Sequence, residues 1–99
     1  MSRPPLQALL GFIAAARAGN LTRAAESMHL TVSALSHQIR TIEERLDRRL
    51  FVRGARGVKL TEHGQALYDR IAPHLEAIEQ ALAPRRVRRH DALAVTLLP

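Results

Sequence analysis

Residues 31–46 read TVSALSHQIRTIEERL. Leu35, Ile39, Ile42 and Leu46 are spaced four, three and four apart, so they line one side of a helix and predict its buried stripe. Thr31 stands where a helix cap belongs, since its hydroxyl can accept a hydrogen bond from a free backbone N–H of the first turn. Ser33, Ser36, His37 and Arg40 gather on the side away from the stripe, because residues three and four apart share a face. Acidic residues come only later, at Glu43, Glu44 and Asp47. The helix therefore pairs an aliphatic side with a short, hydroxyl-bearing and cationic side.

The preceding residues supply a second helix and a turn. Leu6 to Ala18 follows Pro4 and Pro5 and predicts a first helix, with Leu6, Leu9, Leu10 and Ile13 at helical spacing on the core. Gly19 is a natural stop, because glycine takes the left-handed C-terminal conformation without steric cost. Asn20 can cap a short second helix whose apolar side is Leu21, Ala24, Ala25 and Met28. Ala24 and Ala25 are small enough for another helix to come close. MHL at 28–30 is then a tight turn without glycine, and two helices joined so closely make a helix-turn-helix.

The polar face of the helix from Thr31 suits the major groove of DNA. Serines permit close approach and reach phosphate or base, and histidine and arginine donate to guanine or phosphate oxygens. The acidic end of the helix should point away from the nucleic acid.

Downstream, RRLFVRGARGVKLTEHG at 48–64 contains two short strand-like runs, LFVR and VKL, around a GARG turn. A two-stranded hairpin after a recognition helix is a wing. Arg53, Arg56 and Lys59 stand where it can meet phosphates or enter a minor groove. From Thr61 a long helix runs to about Ala83 and stops at Pro84, with Pro73 inside it as an expected kink. Leu67, Ile71, Leu75, Ile78 and Leu82 form its apolar stripe. This helix outruns a small domain, so the stripe is expected to pair with a second copy in an antiparallel or crossed dimer. The expected fold is thus mostly α: a winged helix-turn-helix of three helices and a two-stranded wing over 1–60, followed by a linker helix over 61–83.

The rest of the composition agrees with a polyanionic partner. The net charge is +6, and residues 1–60 alone hold ten basic and four acidic side chains, a surplus of six. Residues 61–99 hold five of each, with the cations concentrated in RRVRRH at 85–90. There is no cysteine, which excludes disulfides and cysteine-ligated zinc. No apolar run reaches the ~18 residues of a membrane span. MSRPPLQALLGFIAAARAG has some features of a secretory signal, but Gln7 interrupts it and its leucines keep helical spacing. DALAVTLLP at 91–99 resembles one β-strand with no neighbour, which a lone strand cannot survive. The expectation is that either this end is disordered, or the chain is cut just inside a second domain, with 84–91 as a basic hinge and 92–99 as that domain's first strand.

The order AAE, SALSHQIR, IEERL, LF.R and LTEHG, over roughly residues 6–83, resembles the N-terminal DNA-binding domain of LysR-type transcriptional regulators. SHQIR and the ending ALAVTLLP are most similar to the branch of glycine-cleavage and β-lactamase regulators. The resemblance implies a winged helix-turn-helix, a linker-helix dimer and binding to an interrupted inverted repeat in double-stranded DNA. It implies that Val32, Ser33, Ser36 and His37 lie at the major groove and that Arg53 reaches the minor groove. It also implies a missing effector-binding domain whose first strand matches Leu93 to Leu98, and which would hold any small-molecule effector; this chain itself needs no cofactor. A tetramer is open to the full-length form, and the location would be cytoplasmic, at the nucleoid. Two positions depart from the family pattern. Val32 replaces a frequent glutamine and offers only apolar contact, for example to a thymine methyl. His37 replaces an arginine common in other branches, giving up a charge and a bidentate fork.

Two other functions compete with DNA reading. A truncated dimerisation module pairing with full-length regulators would keep the leucine stripe and need no reading face. An enzyme fits least: His29, His37, His63, His74 and His90 are scattered without metal-ligand spacing, and no phosphate loop or nucleophile elbow is present.

Overall fold

The structure, a computed structural model, describes residues 5–84. The expected basic run at 85–90 and the strand at Leu93 to Leu98 lie outside the described residues. The elements are α1 (Leu6–Ala18), α2 (Leu21–Ser27), α3 (Val32–Leu46), β1 (Phe51–Gly54), β2 (Gly57–Leu60) and α4 (Glu62–Leu82). Their order and kind are those of a winged helix-turn-helix with an added long helix.

Local chemistry sets the boundaries. Gly19 closes α1 in the left-handed conformation (φ 65°), its N–H donating to the Ala15 carbonyl at 2.9 Å. Asn20 Oδ1 accepts the Arg23 N–H at 2.9 Å, and Thr31 Oγ1 accepts the Ala34 N–H at 3.0 Å. Between α2 and α3, His29 takes the left-handed position that glycine usually fills (φ 58°). The Leu30 N–H returns to the Ala25 carbonyl at 2.8 Å and completes a Schellman turn. Asp47 does the same for α3 (φ 54°), with the Arg48 N–H on the Glu43 carbonyl at 3.1 Å.

The core lies where α1, α2 and α3 meet the wing. Phe12, Leu35 and Leu50 are fully buried, with Ile13 and Ile42 nearly so. The rings of Phe12 and Phe51 stand 5.4 Å apart and tilted by 57°, an arrangement that favours edge-to-face attraction. Each large buried side chain contributes roughly 1.5–3 kcal/mol.

Two expected stripes are shifted. On α1 the core side is Ala8, Gly11, Phe12, Ile13 and Ala15, with Leu9 packed against it; of the expected stripe Leu6, 64% exposed, and Leu10 lie on the surface. Small residues win that side because α2 and α3 pack closely across it. On α3, Leu35, Ile39 and Ile42 are buried but Leu46 is 43% exposed. The helix ends at Asp47, and the returning chain places Leu50 in the core instead.

β1 and β2 pair antiparallel, with Phe51 opposite Leu60, Val52 opposite Lys59, Arg53 opposite Val58 and Gly54 opposite Gly57. Ala55 and Arg56 form the tip. Gly57 has φ 123°, and a Cβ there would run into the Gly19 carbonyl oxygen. That carbonyl also accepts the Val58 N–H at 3.2 Å, so the wing is pinned to the α1–α2 junction.

Thr61 starts α4 and fastens it to the wing. Its Oγ1 accepts the Gly64 N–H at 3.0 Å and donates to the Arg49 carbonyl at 2.6 Å; its N–H donates to the Leu50 carbonyl at 2.9 Å. α4 continues as one helix through Pro73, which removes one hydrogen bond from its ladder. Its first half lies on the domain: Gly64 and Ala72 are buried, and Leu67, Tyr68, Ile71 and Leu75 pack half-buried on the core. Its last turns do not, since Ile78 is 55% and Leu82 79% exposed. Arg17 of α1 reaches α4, hydrogen-bonding with Tyr68 and lying 3.6 Å from Glu79 and 3.9 Å from Glu76. The Tyr68 hydrogen bond and then the Glu79 charge hold its guanidinium above the usual value.

Candidate nucleic-acid interface

α3 presents the expected polar side to solvent. Val32, Ser33, His37 and Arg40 are exposed and Ser36 is half-buried, opposite the buried Leu35, Ile39 and Ile42. Thr31 is exposed at the cap, its hydroxyl oxygen engaged by the Ala34 N–H. The first turn of α3 carries no acidic residue. Its unpaired backbone N–H groups and the positive end of the helix dipole therefore add to a surface that favours anions. Val32 sits there as an apolar, solvent-facing side chain.

The wing cations do not share one face. Arg53 is opposite the buried Val58 and on the same side of the hairpin as Phe51, so its side chain lies towards α3. Its Nη2 donates to Ser36 Oγ at 3.2 Å. Lys59 is opposite the exposed Val52, on the outer side, and Arg56 is at the tip. Thus the structure joins Arg53 to the α3 face, and places Arg56 and Lys59 around a separate hollow beside Val52, Gly54 and Gly57.

Two residues beside this face were not singled out in the sequence. Arg49, just before β1, borders the hollow between α3 and the wing. Glu43, counted only as part of the acidic end of α3, turns inward; its Oε2 accepts the Leu50 N–H at 2.9 Å and lies 3.7 Å from Arg49 Nε. The basic pair at 48–49 was a visible signal, but which of the two faces α3 depends on the turn at Asp47.

The expected dimer stripe divides. Leu67, Ile71 and Leu75 contact their own core, and Ile78 and Leu82 face solvent. Among the described residues, no three His, Asp or Glu side chains are placed to hold a metal ion, and no helix is long and apolar enough to cross a membrane. His29, His37, His63 and His74 fall in different places: the turn before α3, its surface, and the beginning and middle of α4.

Residues 6–65 match the family model described as "Bacterial regulatory helix-turn-helix protein, lysR family". The chain is 42% identical over 97 residues to the glycine cleavage system transcriptional activator of Escherichia coli, covering 97% of this chain and 32% of that protein. It is 46% identical over 88 residues to the transcriptional activator AmpR of Pseudomonas aeruginosa, covering 80% of this chain and 30% of that one. It therefore spans about a third of the length of these curated relatives. Among solved structures it is similar to the BenM DNA-binding domain in complex with catB site 1 DNA, with TM-score 0.71, 32% identity, and coverage of 78% of this chain and 86% of that one. Full-length CbnR in complex with its target DNA aligns with TM-score 0.67 and 32% identity over 76% of this chain and 26% of that one.

Proposed function

This chain belongs to the lysR family of bacterial regulatory helix-turn-helix proteins, and from that membership we propose that it binds double-stranded DNA sequence-specifically as a dimer. The observation that carries the proposal is the α3 face: Ser33, Ser36, His37 and Arg40 lie opposite the buried Leu35, Ile39 and Ile42, with the wing's Arg53 hydrogen-bonded to Ser36. Residues 1–60 act as the reading head and 61–83 as the linker. Ser33, Ser36, His37 and Arg40 meet bases and phosphates in the major groove, Val32 offers apolar contact, and Arg53, Arg56 and Lys59 reach the flanking backbone or minor groove. Phosphate contacts supply most of the affinity and its steep salt dependence.

The exposed Ile78 and Leu82 support pairing of α4 with α4 of a second copy, which sets the spacing of two half-sites in an interrupted inverted repeat. As part of a longer regulator, the chain would work in the cytoplasm as a binding module rather than an enzyme, beside a domain that takes a small-molecule effector. The relatives' names as transcription regulators support that reading. The same exposed turns also favour a second role, pairing with full-length regulators; heterodimers on mixing with such a relative would support it.

Fluorescence anisotropy of labelled duplexes, at several salt concentrations, tests the proposal. Tighter binding to a subset of inverted repeats than to random sequence, with steep loss in salt, is the expected result. Equal weak binding to every duplex would reject sequence reading by α3.

A further inference from the structure

A cleft of about 370 Å³ lies between α3 and the wing. Ser36, Ile39, Arg40 and Glu43 line it from α3, Arg53 from β1, and Arg49 from the segment entering β1. Building on the DNA-reading role above, we propose that this cleft seats one backbone phosphate, held by Arg49 and Arg40, of the strand that separates the major groove from the minor groove.

Topology supplies the first argument. Adjacent grooves of a duplex are divided by a sugar–phosphate strand. A domain with α3 in one groove and its wing in the next must straddle that strand, and the surface between α3 and the wing is this cleft.

Charge supplies the second. Three guanidinium groups border the cleft against one carboxylate. The Glu43 charge is partly offset there: its Oε2 accepts the Leu50 N–H and lies 3.7 Å from Arg49 Nε. Arg49 in turn is 76% exposed, so Glu43 engages the Nε side while the Nη donors remain open to solvent. That is the arrangement in which a planar guanidinium grips a phosphate with two hydrogen bonds. Glu43 is here a positioning residue and Arg49 the contact.

Shape supplies the third. The Arg53–Ser36 hydrogen bond links the two walls at 3.2 Å, and the Val58 N–H on the Gly19 carbonyl fixes the wing to the rest of the domain. The hollow on the far side of Arg40 and Arg49 is less suited to a phosphate, since Glu43, Glu44 and Asp47 there balance Arg40, Arg48 and Arg49.

The test uses the repeat selected by anisotropy, with each phosphate replaced singly by a neutral methylphosphonate. Wild-type binding should weaken roughly tenfold at one phosphate lying between the base pairs read by α3 and those flanked by the wing. Arg49→Ala should bind the unmodified duplex roughly tenfold more weakly with a salt slope lower by about 1, and lose nothing further at that phosphate. Thermal unfolding of Arg49→Ala should match wild type. Equal sensitivity of Arg49→Ala and wild type at every phosphate would overturn the seat while leaving sequence reading by α3 intact. Failure of the wild type to prefer any repeat would instead remove the reading on which the seat rests. For Arg40, the same cycle with Arg40→Ala should show non-additivity at the same phosphate; additivity there would remove Arg40 from the seat.

Discussion

α3 and α4 carry apolar stripes of the same kind, yet their surroundings differ. Leu35, Ile39 and Ile42 of α3 are enclosed by α1, α2 and the wing, so one chain satisfies that stripe. On α4 the side chains to Leu75 rest on the domain while Ile78 and Leu82 lie in solvent. A heptad-like spacing therefore announces that a surface will be covered, but says nothing of which chain covers it. Their charges differ as well: the outer face of α3 gathers hydroxyls and cations, whereas α4 carries Glu62, Asp69, Glu76 and Glu79 against Arg70, with Glu76 and Glu79 beside Arg17 of α1.

Substitutions on the two helices grade this contrast. The largest effect is expected from Ser36→Glu, which puts a carboxylate on the reading face and into the path of Arg53. Specific binding should fall to the non-specific level, a loss of at least ~10³-fold, with the circular dichroism of the folded domain retained. Operator binding at wild-type strength would show that another face reads DNA. Next, Leu35→Ala should cost about 2–5 kcal/mol in urea unfolding, because a fully enclosed side chain leaves a cavity. Ile71→Ala, at a half-buried position of α4, should cost only ~1 kcal/mol by the apolar area it removes. Smallest in stability is Leu82→Ser, within ~0.5 kcal/mol for the monomer. Sedimentation should nevertheless show weaker self-association for that variant. A loss of several kcal/mol from Leu82→Ser, or none from Leu35→Ala, would break the distinction between an enclosed stripe and an open one.

Much of the architecture was legible because it is written in short-range signals. Asn20, Thr31 and Thr61 each cap the helix that follows, and the first two were recognisable as caps from residue type and position. The glycine-flanked wing and the polar face of α3 were equally local. What escaped depended on distant approach. Leu6 and Leu46 are as apolar as their buried neighbours, and only the packing of α1 on α3 and the turn at Asp47 leaves them outside. Glu43 was indistinguishable from Glu44 until the Leu50 N–H arrived beside it, seven residues on. The Arg53–Ser36 bond spans seventeen positions and required the hairpin to fold back on α3.

The seat of Gly57 has a practical side for anyone redesigning the wing. Its φ of 123° and its contact with the Gly19 carbonyl leave this position, just after the tip, no tolerance for a side chain. Val58 beside it is committed to the core and to the Gly19 carbonyl. The tip residues Ala55 and Arg56 are exposed and outside the strand pairing, and they can be recharged without disturbing the scaffold. A combinatorial library aimed at new flanking-sequence preferences should randomise these two and hold Gly57 constant; randomising Gly57 as well would fill it with clones that fail to fold.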